Sequence, residues 1–303
     1  MKQPSIIDIV MTTYNQEDHV AKAIESVLCQ KTDLPFRLII GEDCSTDKTY
    51  LICKEYAVKY PEIITLLEND QNLGLVKNYK RCFEASQGKY IAILEGDDYW
   101  TSQYKLDLQF SLINSDSEIG LVHSNYMLLK GKQLINNPNR LIQYSINNQG
   151  YIYEKLICNN FICPLTAMFK RELLLNIDFD FMIEKKLQTI DYFLWLSFSI
   201  NKKIAYQNEI FGVYRISPKS ISNNALFSKR VQFEVTKQEI LNFFIKANPV
   251  KNFNINKYQD KANMLLLLRS IKTFDLLNFL KYIRMFSFNG LIEAFKSKLA
   301  ILK

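Results

Sequence analysis

The first hundred residues alternate strand-length apolar runs with helix-patterned segments, and that alternation restricts the fold more than any other feature. Ile6–Met11, Phe36–Ile40, Ile63–Leu67 and Tyr90–Leu94 are the β-rich runs. Between them, Glu17–Cys29 carries Val20, Ala23, Ile24 and Val27 at helical spacing. Asp47–Tyr60 reads as a helix with Ser45 or Thr46 near its cap and Pro61 after its end, and Leu75–Ser86 as another closed by Gly88. Repeated βα units of this length fold as a parallel, doubly wound sheet, whose ligands sit beyond the carboxyl ends of the strands.

The loops at those ends are rich in carboxylates. The first strand runs into Thr12-Thr13-Tyr14-Asn15, the second into Glu42-Asp43-Cys44-Ser45-Thr46-Asp47, and the fourth into Glu95-Gly96-Asp97-Asp98-Tyr99-Trp100. A single acidic loop is usually a turn or a helix cap. Three at equivalent places on one sheet edge point to a shared polar site.

From Tyr104 to about Asn224 the pattern is less regular. Strands are expected at Ile119–His123, Leu165–Phe169 and Ile210–Tyr214, a helix at Asp191–Ile200, and a long polar loop from Lys130 to Gly150. From Leu226 onward the pattern is helical. No apolar run approaches the roughly 20 residues that span a bilayer, and the N-terminus lacks a signal-peptide pattern, so the cytoplasm is the expected compartment. Six cysteines without a CxxC pair and two histidines make a zinc site improbable, and the cysteines read as buried thiols of a reducing compartment. The formal charge of +7 is spread through the first two-thirds of the chain without a nucleic-acid motif, so no nucleic-acid partner is expected.

Taken in order, Thr12-Thr13-Tyr14-Asn15, Glu42-Asp43-Cys44-Ser45-Thr46-Asp47, Asn72-Leu73-Gly74, Gly88-Lys89-Tyr90-Ile91 and Glu95-Gly96-Asp97-Asp98-Tyr99-Trp100 closely resemble family 2 glycosyltransferases. The match is specific over roughly residues 4 to 110, and a weaker one continues through Asp191 and Tyr214-Arg215-Ile216-Ser217. The resemblance implies a GT-A-type, Rossmann-like α/β fold and a metal-dependent, inverting transfer from a nucleotide diphosphate sugar, most often UDP-linked. The expected layout is a catalytic domain over 1–225 (a nucleotide half at 1–104, an acceptor half at 105–225) and a helical appendage over 226–303.

The same resemblance suggests roles. Asp97 occupies the metal-contacting end of the family's DXD motif, and Glu95 stands at its first acidic position. Mn²⁺ or Mg²⁺ held by such hard oxygen ligands offsets the charge of a departing diphosphate. Asp98 is expected beside the metal or the sugar, Asp43 at the nucleotide base, and Thr12 and Tyr14 next to that base. The family takes its catalytic base from a Glu-Asp pair at a helix start. Here Ile190 replaces the first member and Asp191 keeps the second, as base or as helix cap. Arg215 either offsets phosphate charge or pairs with a surface acid, and Asp47 caps a helix.

The implied partners are a nucleotide sugar and a glycan or lipid-linked glycan of bacterial surface-polysaccharide assembly. Two other readings stand beside this one: a glycosyltransferase-like binder of nucleotide sugars without turnover, and a sugar-1-phosphate nucleotidyltransferase. The latter needs a Gly-rich basic loop where Thr13-Tyr14-Asn15-Gln16 stands. Finally, Lys261–Lys303 holds eight basic residues against Asp275 and Glu293. Asp275, Asn278, Lys281 and Arg284 recur every third residue, with Leu276, Leu277, Phe279, Leu280 and Ile283 expected on the opposite helix side. Such a helix either lies on an anionic membrane or packs on protein.

Overall fold

A computed structural model describes residues 5–137, 149–216, 227–251, 253–272 and 276–284. Two compact units divide the chain, Met1–Ser217 and Pro218–Lys303. In the first, β1 (Ile7–Thr13), β2 (Phe36–Glu42), β3 (Ile64–Leu67) and β4 (Tyr90–Ile93) pair in parallel in the order β3-β2-β1-β4. They are linked by α1 (Val20–Leu28), α2 (Thr49–Lys59) and α3 (Leu75–Ala85). Every residue of β1 is buried, as expected for a central strand covered on both faces. Helix α1 buries Val20, Ala23, Ile24 and Val27, the four positions its spacing singles out.

Beyond β4 the sheet ceases to be purely parallel. It continues through β5 (Tyr99–Trp100), β6 (Ile119–Lys130), β7 (Gln133–Asn136), β8 (Gln149–Gly150), β9 (Met168–Lys170) and β10 (Lys203–Ile216). The full order is β3-β2-β1-β4-β9-β6-β10-β5, with β7 on β6 and β8 on β10. Strand β9 runs antiparallel to both β4 and β6, and β5 antiparallel to β10. The helices of this half are α4 (Lys105–Asn114), α5 (Tyr153–Cys158), α6 (Phe179–Glu184) and α7 (Asp191–Asn201).

Several expectations are corrected here. The loop expected over Lys130–Gly150 contains β7, which turns back on β6 through Leu129 and Leu134, and also β8; residues 138–148 lie outside the described residues. Strands β6 and β10 are longer than their apolar cores, because they pair along most of their length. The expected Leu165–Phe169 strand starts later, after a 3₁₀ turn at Pro164–Thr166. The cysteines are free thiols, but only Cys53, Cys82 and Cys163 are buried; Cys29 and Cys158 are exposed.

The second unit is helical in its described residues: α8 (Phe227–Ala247), α9 (Ile255–Lys272) and α10 (Leu276–Ile283). The expected boundary at 225 falls within 217–226, outside the described residues. Met264, Leu266, Leu267 and Tyr282 form its core, with Val231, Phe279 and Ile283 packed against them. The apolar side expected for α10 is therefore split. Phe279 and Ile283 face the core, whereas Leu276, Leu277 and Leu280 are exposed together with Lys281 and Arg284.

One polar clamp fixes the amino ends of the central strands. Asp8 is fully buried in β1, where hydrophobic transfer alone would exclude it. Its carboxylate accepts from Ser5 Oγ at 2.6 Å, from Arg37 Nε and Nη2 at 3.2 and 3.1 Å, and from the Gln87 and Gly88 amides at 2.6 and 2.8 Å. These bonds tie β1 to β2 and to the turn that enters β4. Gly88 is required because a Cβ there would lie 2.9 Å from the Asp8 amide nitrogen and 3.1 Å from the Ile6 carbonyl. Replacing Asp8 by Ala strands the Arg37 cation and two amides, so Asp8→Ala should lower stability by about 3–5 kcal/mol. Urea unfolding of the purified variant measures this, and a loss below about 1 kcal/mol would show that the clamp is peripheral to folding.

Candidate active site

At the carboxyl edge, the loop after β1 is laced to the loop after β2. Glu42, 2% exposed, accepts the Cys44 and Ser45 amides at 3.1 and 2.8 Å, turning the chain sharply at the strand end. Asn15 and Cys44 both take left-handed backbone conformations, with φ of 52° and 59°. Such values are tolerated by Asn but uncommon for Cys. The Asn15 amide donates to Ser45 Oγ and the Thr46 amide to Asn15 Oδ1. Asp47 accepts from the Glu17 and Thr49 amides at 3.2 and 2.9 Å, so it caps α2 and joins the two loops.

Asp43 lies 4% exposed within this lacing. Its Oδ1 accepts the Leu73 amide at 2.8 Å and its Oδ2 the Gly74 amide at 2.9 Å, while Asn72 Nδ2 donates to its main-chain carbonyl. Asn69 Nδ2 also donates to Oδ1 at 3.3 Å, so Oδ2 is the carboxylate oxygen that keeps a second lone pair. Thr12 is buried at 6% exposure, and Tyr14 is 45% exposed, with much of its side chain open to solvent. Arg81, which sequence reasoning passed over, anchors the same edge from α3. It donates to the carbonyls of Glu42, Leu67 and Glu68 and to the Asn69 side chain. Nothing in its local sequence marks it, because its main-chain partners lie at the ends of β2 and β3.

The strongest cluster follows β4. Ligand oxygens of Glu95, Asp97 and Asp98 all lie within 4.8 Å of one another. The glycine between them has no room for a side chain. A Cβ at Gly96 would meet Gln16 Oε1 and lie 2.7 Å from Thr13 Oγ1, so the turn packs directly on the end of β1. Glu95 Oε1 accepts from the buried Tyr79 hydroxyl at 3.0 Å. Asp98 Oδ1 accepts the Arg215 amide at 2.7 Å, and Arg215 Nε donates to the Asp97 carbonyl at 2.9 Å. Arg215 thus lies beside the carboxylates rather than in a surface ion pair. Asp98 precedes the strand β5, so it is not a helix cap.

Electrostatically the cluster is loaded. Burial first, then the neighbouring charges of Asp97 and Asp191, push the Glu95 carboxyl up to about 8. Asp97 is also raised, chiefly by burial, with His19 and Arg215 opposing. Asp98 is raised well above the carboxylate range by burial and by Asp97 and Glu95. Its Oδ2 is buried with no hydrogen-bond partner among the described residues. An orphaned carboxylate oxygen beside two further hard donors fits a divalent cation, with Asp97 and Glu95 in reach of the same ion.

Asp191 opens α7, and its charge reaches Glu95. Its carboxylate accepts from Thr189 Oγ1 and, at 2.8 Å, from Asn160 Nδ2. Burial raises its pKa against those bonds. Ile190 is 3% exposed, an apolar side chain where a second carboxylate was the alternative. A groove of about 240 Å³ between α1 and residues 99–103, lined by Lys22, Ser26, Tyr99 and Trp100, includes none of these carboxylates.

Residues 8–177 match the model of the glycosyl transferase family 2 domain. An uncharacterized protein of Mycobacterium tuberculosis is 27% identical over 75% of this chain, and the chain spans 64% of that protein's length. The Escherichia coli UDP-Glc:alpha-D-GlcNAc-diphosphoundecaprenol beta-1,3-glucosyltransferase WfgD is 31% identical over 76% of this chain and 85% of its own. Among solved structures, the Pyrobaculum calidifontis mannosyltransferase PcManGT, in complex with GDP-Man and Mn²⁺, superposes with a TM-score of 0.60. That alignment covers 99% of this chain and 81% of that one at 14% identity, a likeness of GT-A fold.

The raised carboxyls make a pH prediction. Glu95 shifts from 4.5 to about 8 on folding, so between those values the folded chain holds a proton that the unfolded chain releases. Its contribution to stability therefore falls as pH rises through that window. Mn²⁺ bound by the ionised cluster should oppose the fall, adding about 2.7 kcal/mol at ~100 times its dissociation constant. Thermal melts from pH 5 to 8, with and without Mn²⁺, test this. A metal effect equal at both ends of the range would detach cation binding from these carboxyls.

Proposed function

The chain belongs to glycosyl transferase family 2, and from that premise we propose that it transfers a sugar from a nucleotide diphosphate sugar to a glycan or lipid-linked glycan, with inversion at the anomeric carbon. The observation that carries this reading is the convergence of Glu95, Asp97 and Asp98 with Asp191 beyond the carboxyl end of β4. We assign the nucleotide side to residues 1–104 and the acceptor side to 105–225. UDP is the first donor to test, since WfgD is named for UDP-Glc.

Asp97 and Glu95 are the residues that would hold a Mn²⁺ or Mg²⁺ ion, with Asp98 beside it or against the donor sugar. Such an ion, when bound, neutralises the negative charge of the leaving diphosphate. Asp43 accepts from the nucleotide base with the remaining lone pair of Oδ2, while its Asn69, Leu73 and Gly74 bonds hold the neighbouring loop in place. Thr12 lies beside the base, and the exposed Tyr14 ring stacks on it. Arg215 adds positive charge near the diphosphate.

Asp191 is the general base. Burial raises its proton affinity, which suits a carboxylate that takes a hydroxyl proton. The acceptor oxygen forms its bond to the anomeric carbon as the carbon–oxygen bond to the diphosphate breaks. The hydroxyl proton passes to Asp191, and the bonding pair leaves with the diphosphate.

We also propose that the chain works at the cytoplasmic face of a membrane. No helix among the described residues is long and apolar enough to cross one. The exposed leucines of α10, beside Lys281 and Arg284, would dip into an anionic surface. A lipid-linked acceptor, of the kind in the WfgD name, would make that placement productive.

Two experiments test these proposals. A thermal-shift panel of UDP-, GDP-, dTDP- and CMP-sugars with Mn²⁺ identifies the donor, whose hydrolysis separates an enzyme from a binder. Asp97→Ala should then abolish turnover with the fold intact, a loss of several kcal/mol of transition-state stabilisation. Asp191→Asn should keep donor affinity within a few-fold and lose transfer by orders of magnitude; normal transfer would place the base elsewhere. Separately, the full chain should co-sediment with phosphatidylglycerol vesicles in a salt-sensitive way. Leu276→Glu/Leu277→Glu should release it, and binding unchanged by that pair would remove α10 as the anchor.

A further inference from the structure

Asn160 lies just after α5, far from Asp191 in sequence, and is held against it by the fold. Its Nδ2 donates to Asp191 Oδ2 at 2.8 Å, while Thr189 Oγ1 donates to Oδ1. The two carboxylate oxygens are thus gripped separately, one from each side, by neutral donors. The other end of the same amide is in deficit. Asn160 Oδ1 is buried with no hydrogen-bond partner among the described residues.

That imbalance is informative. A buried carbonyl without a partner costs about as much as a hydrogen bond to a charged group returns. The amide as a whole contributes little or nothing to folding. Turning it over would face its carbonyl to the carboxylate, which is repulsive, so the orientation follows from the charge on Asp191. Residues that break a local rule without a stability gain mark function.

We propose that Asn160 is a positioning residue, placed to hold the Asp191 carboxylate in one rotamer with its free lone pairs toward the acceptor hydroxyl. The inference rests on the reading of Asp191 as the base. It differs from a structural role in a specific way, because it makes Asn160 expendable for folding and necessary for turnover. Displacing a reacting group by about 1 Å can cost 100-fold in rate.

The test compares the unmodified chain with Asn160→Leu, Asn160→Asp and Asp191→Asn. UDP-glucose with Mn²⁺ is the donor probe, and α-N-acetylglucosaminyl diphosphate lipid and water are the acceptors. Asn160→Leu, which removes both the donor and the orphaned carbonyl, should melt no lower than the unmodified chain. Its kcat should fall about 10- to 100-fold at unchanged donor KM. Asn160→Asp, nearly the same shape but a second negative charge, should lose more. A crystal structure of Asn160→Leu should show Asp191 in more than one rotamer, a readout independent of any substrate. A melting temperature and kcat that fall together, or a single unchanged Asp191 rotamer, would overturn the inference. If Asp191→Asn keeps transfer, the base assignment fails instead. If Asp191→Asn is inactive while Asn160→Leu is fully active, the base stands and the clamp does not.

Discussion

Three carboxyls packed side by side, Asp98 buried and Glu95 and Asp97 partly so, are the constraint around which the rest of the first unit is arranged. Carboxylates within 4.8 Å of one another at a sheet edge resist ionisation, and the pKa values of Glu95, Asp97 and Asp98 are raised, by burial first and, for Glu95 and Asp98, by their neighbours' charge. The fold meets the strain with polar groups delivered from elsewhere in the chain. Tyr79 comes from α3, the Arg215 amide from β10, and the glycine turn from its packing on β1. β10 can present that amide because it runs the whole height of the sheet beside β6 and carries β5 on its other edge. The extension of the sheet past β4 thus does more than enlarge the core. It brings a second wall up to the carboxylates.

Much of this was legible in the sequence where burial and periodicity coincide. The buried apolar residues of β1 (Ile7, Ile9, Val10 and Met11) and the four buried positions of α1 follow from apolar spacing alone, as do the strand ends that carry Thr12, Asp43 and Asp97. Reading failed where polar residues occupy the interior. Helix α4 buries Lys105 and Gln109 beside Leu106 and Ile113, so polar residues interrupt the apolar pattern of its buried face. Lys105 Nζ lies 4.3 Å from the Trp100 ring centroid, a contact that the tertiary fold supplies, and 2.5 Å from Gln109 Oε1 one helical turn along. Burial pushes that amine down to about 7. The two-residue β5 and the short β7 exist only through their partners, β10 and β6. In α10 the every-third-residue polar pattern placed five apolar residues on one side, whereas packing divides them between core and solvent.

The candidate site shows the same division. Residue types at strand ends were readable; the bonds that hold them were not. Asp43 stood out as a ligand contact, yet its carboxylate also closes the loop at Leu73 and Gly74, a role visible only once α3 is packed against β2. Arg81 stabilises the same edge by capping main-chain carbonyls, and no motif announces a residue whose partners are all backbone or local amides. Such supporting groups set the geometry within which a few named side chains act.

The replacement at Ile190 bears on how the site distributes its chemistry. A carboxylate there would have added a fifth negative charge to Glu95, Asp97, Asp98 and Asp191. An isoleucine at 3% exposure adds apolar burial instead, beside the start of α7. Asp191 then stands as the only carboxylate at that helix start, and its environment is correspondingly built from neutral donors, Thr189 and Asn160, rather than from cations. A lysine or arginine in their place would hold the carboxylate more strongly but depress its proton affinity, the property a base needs. Neutral donors fix direction while burial keeps the affinity high. The two requirements of a general base, orientation and basicity, are thereby met by separate features of the fold.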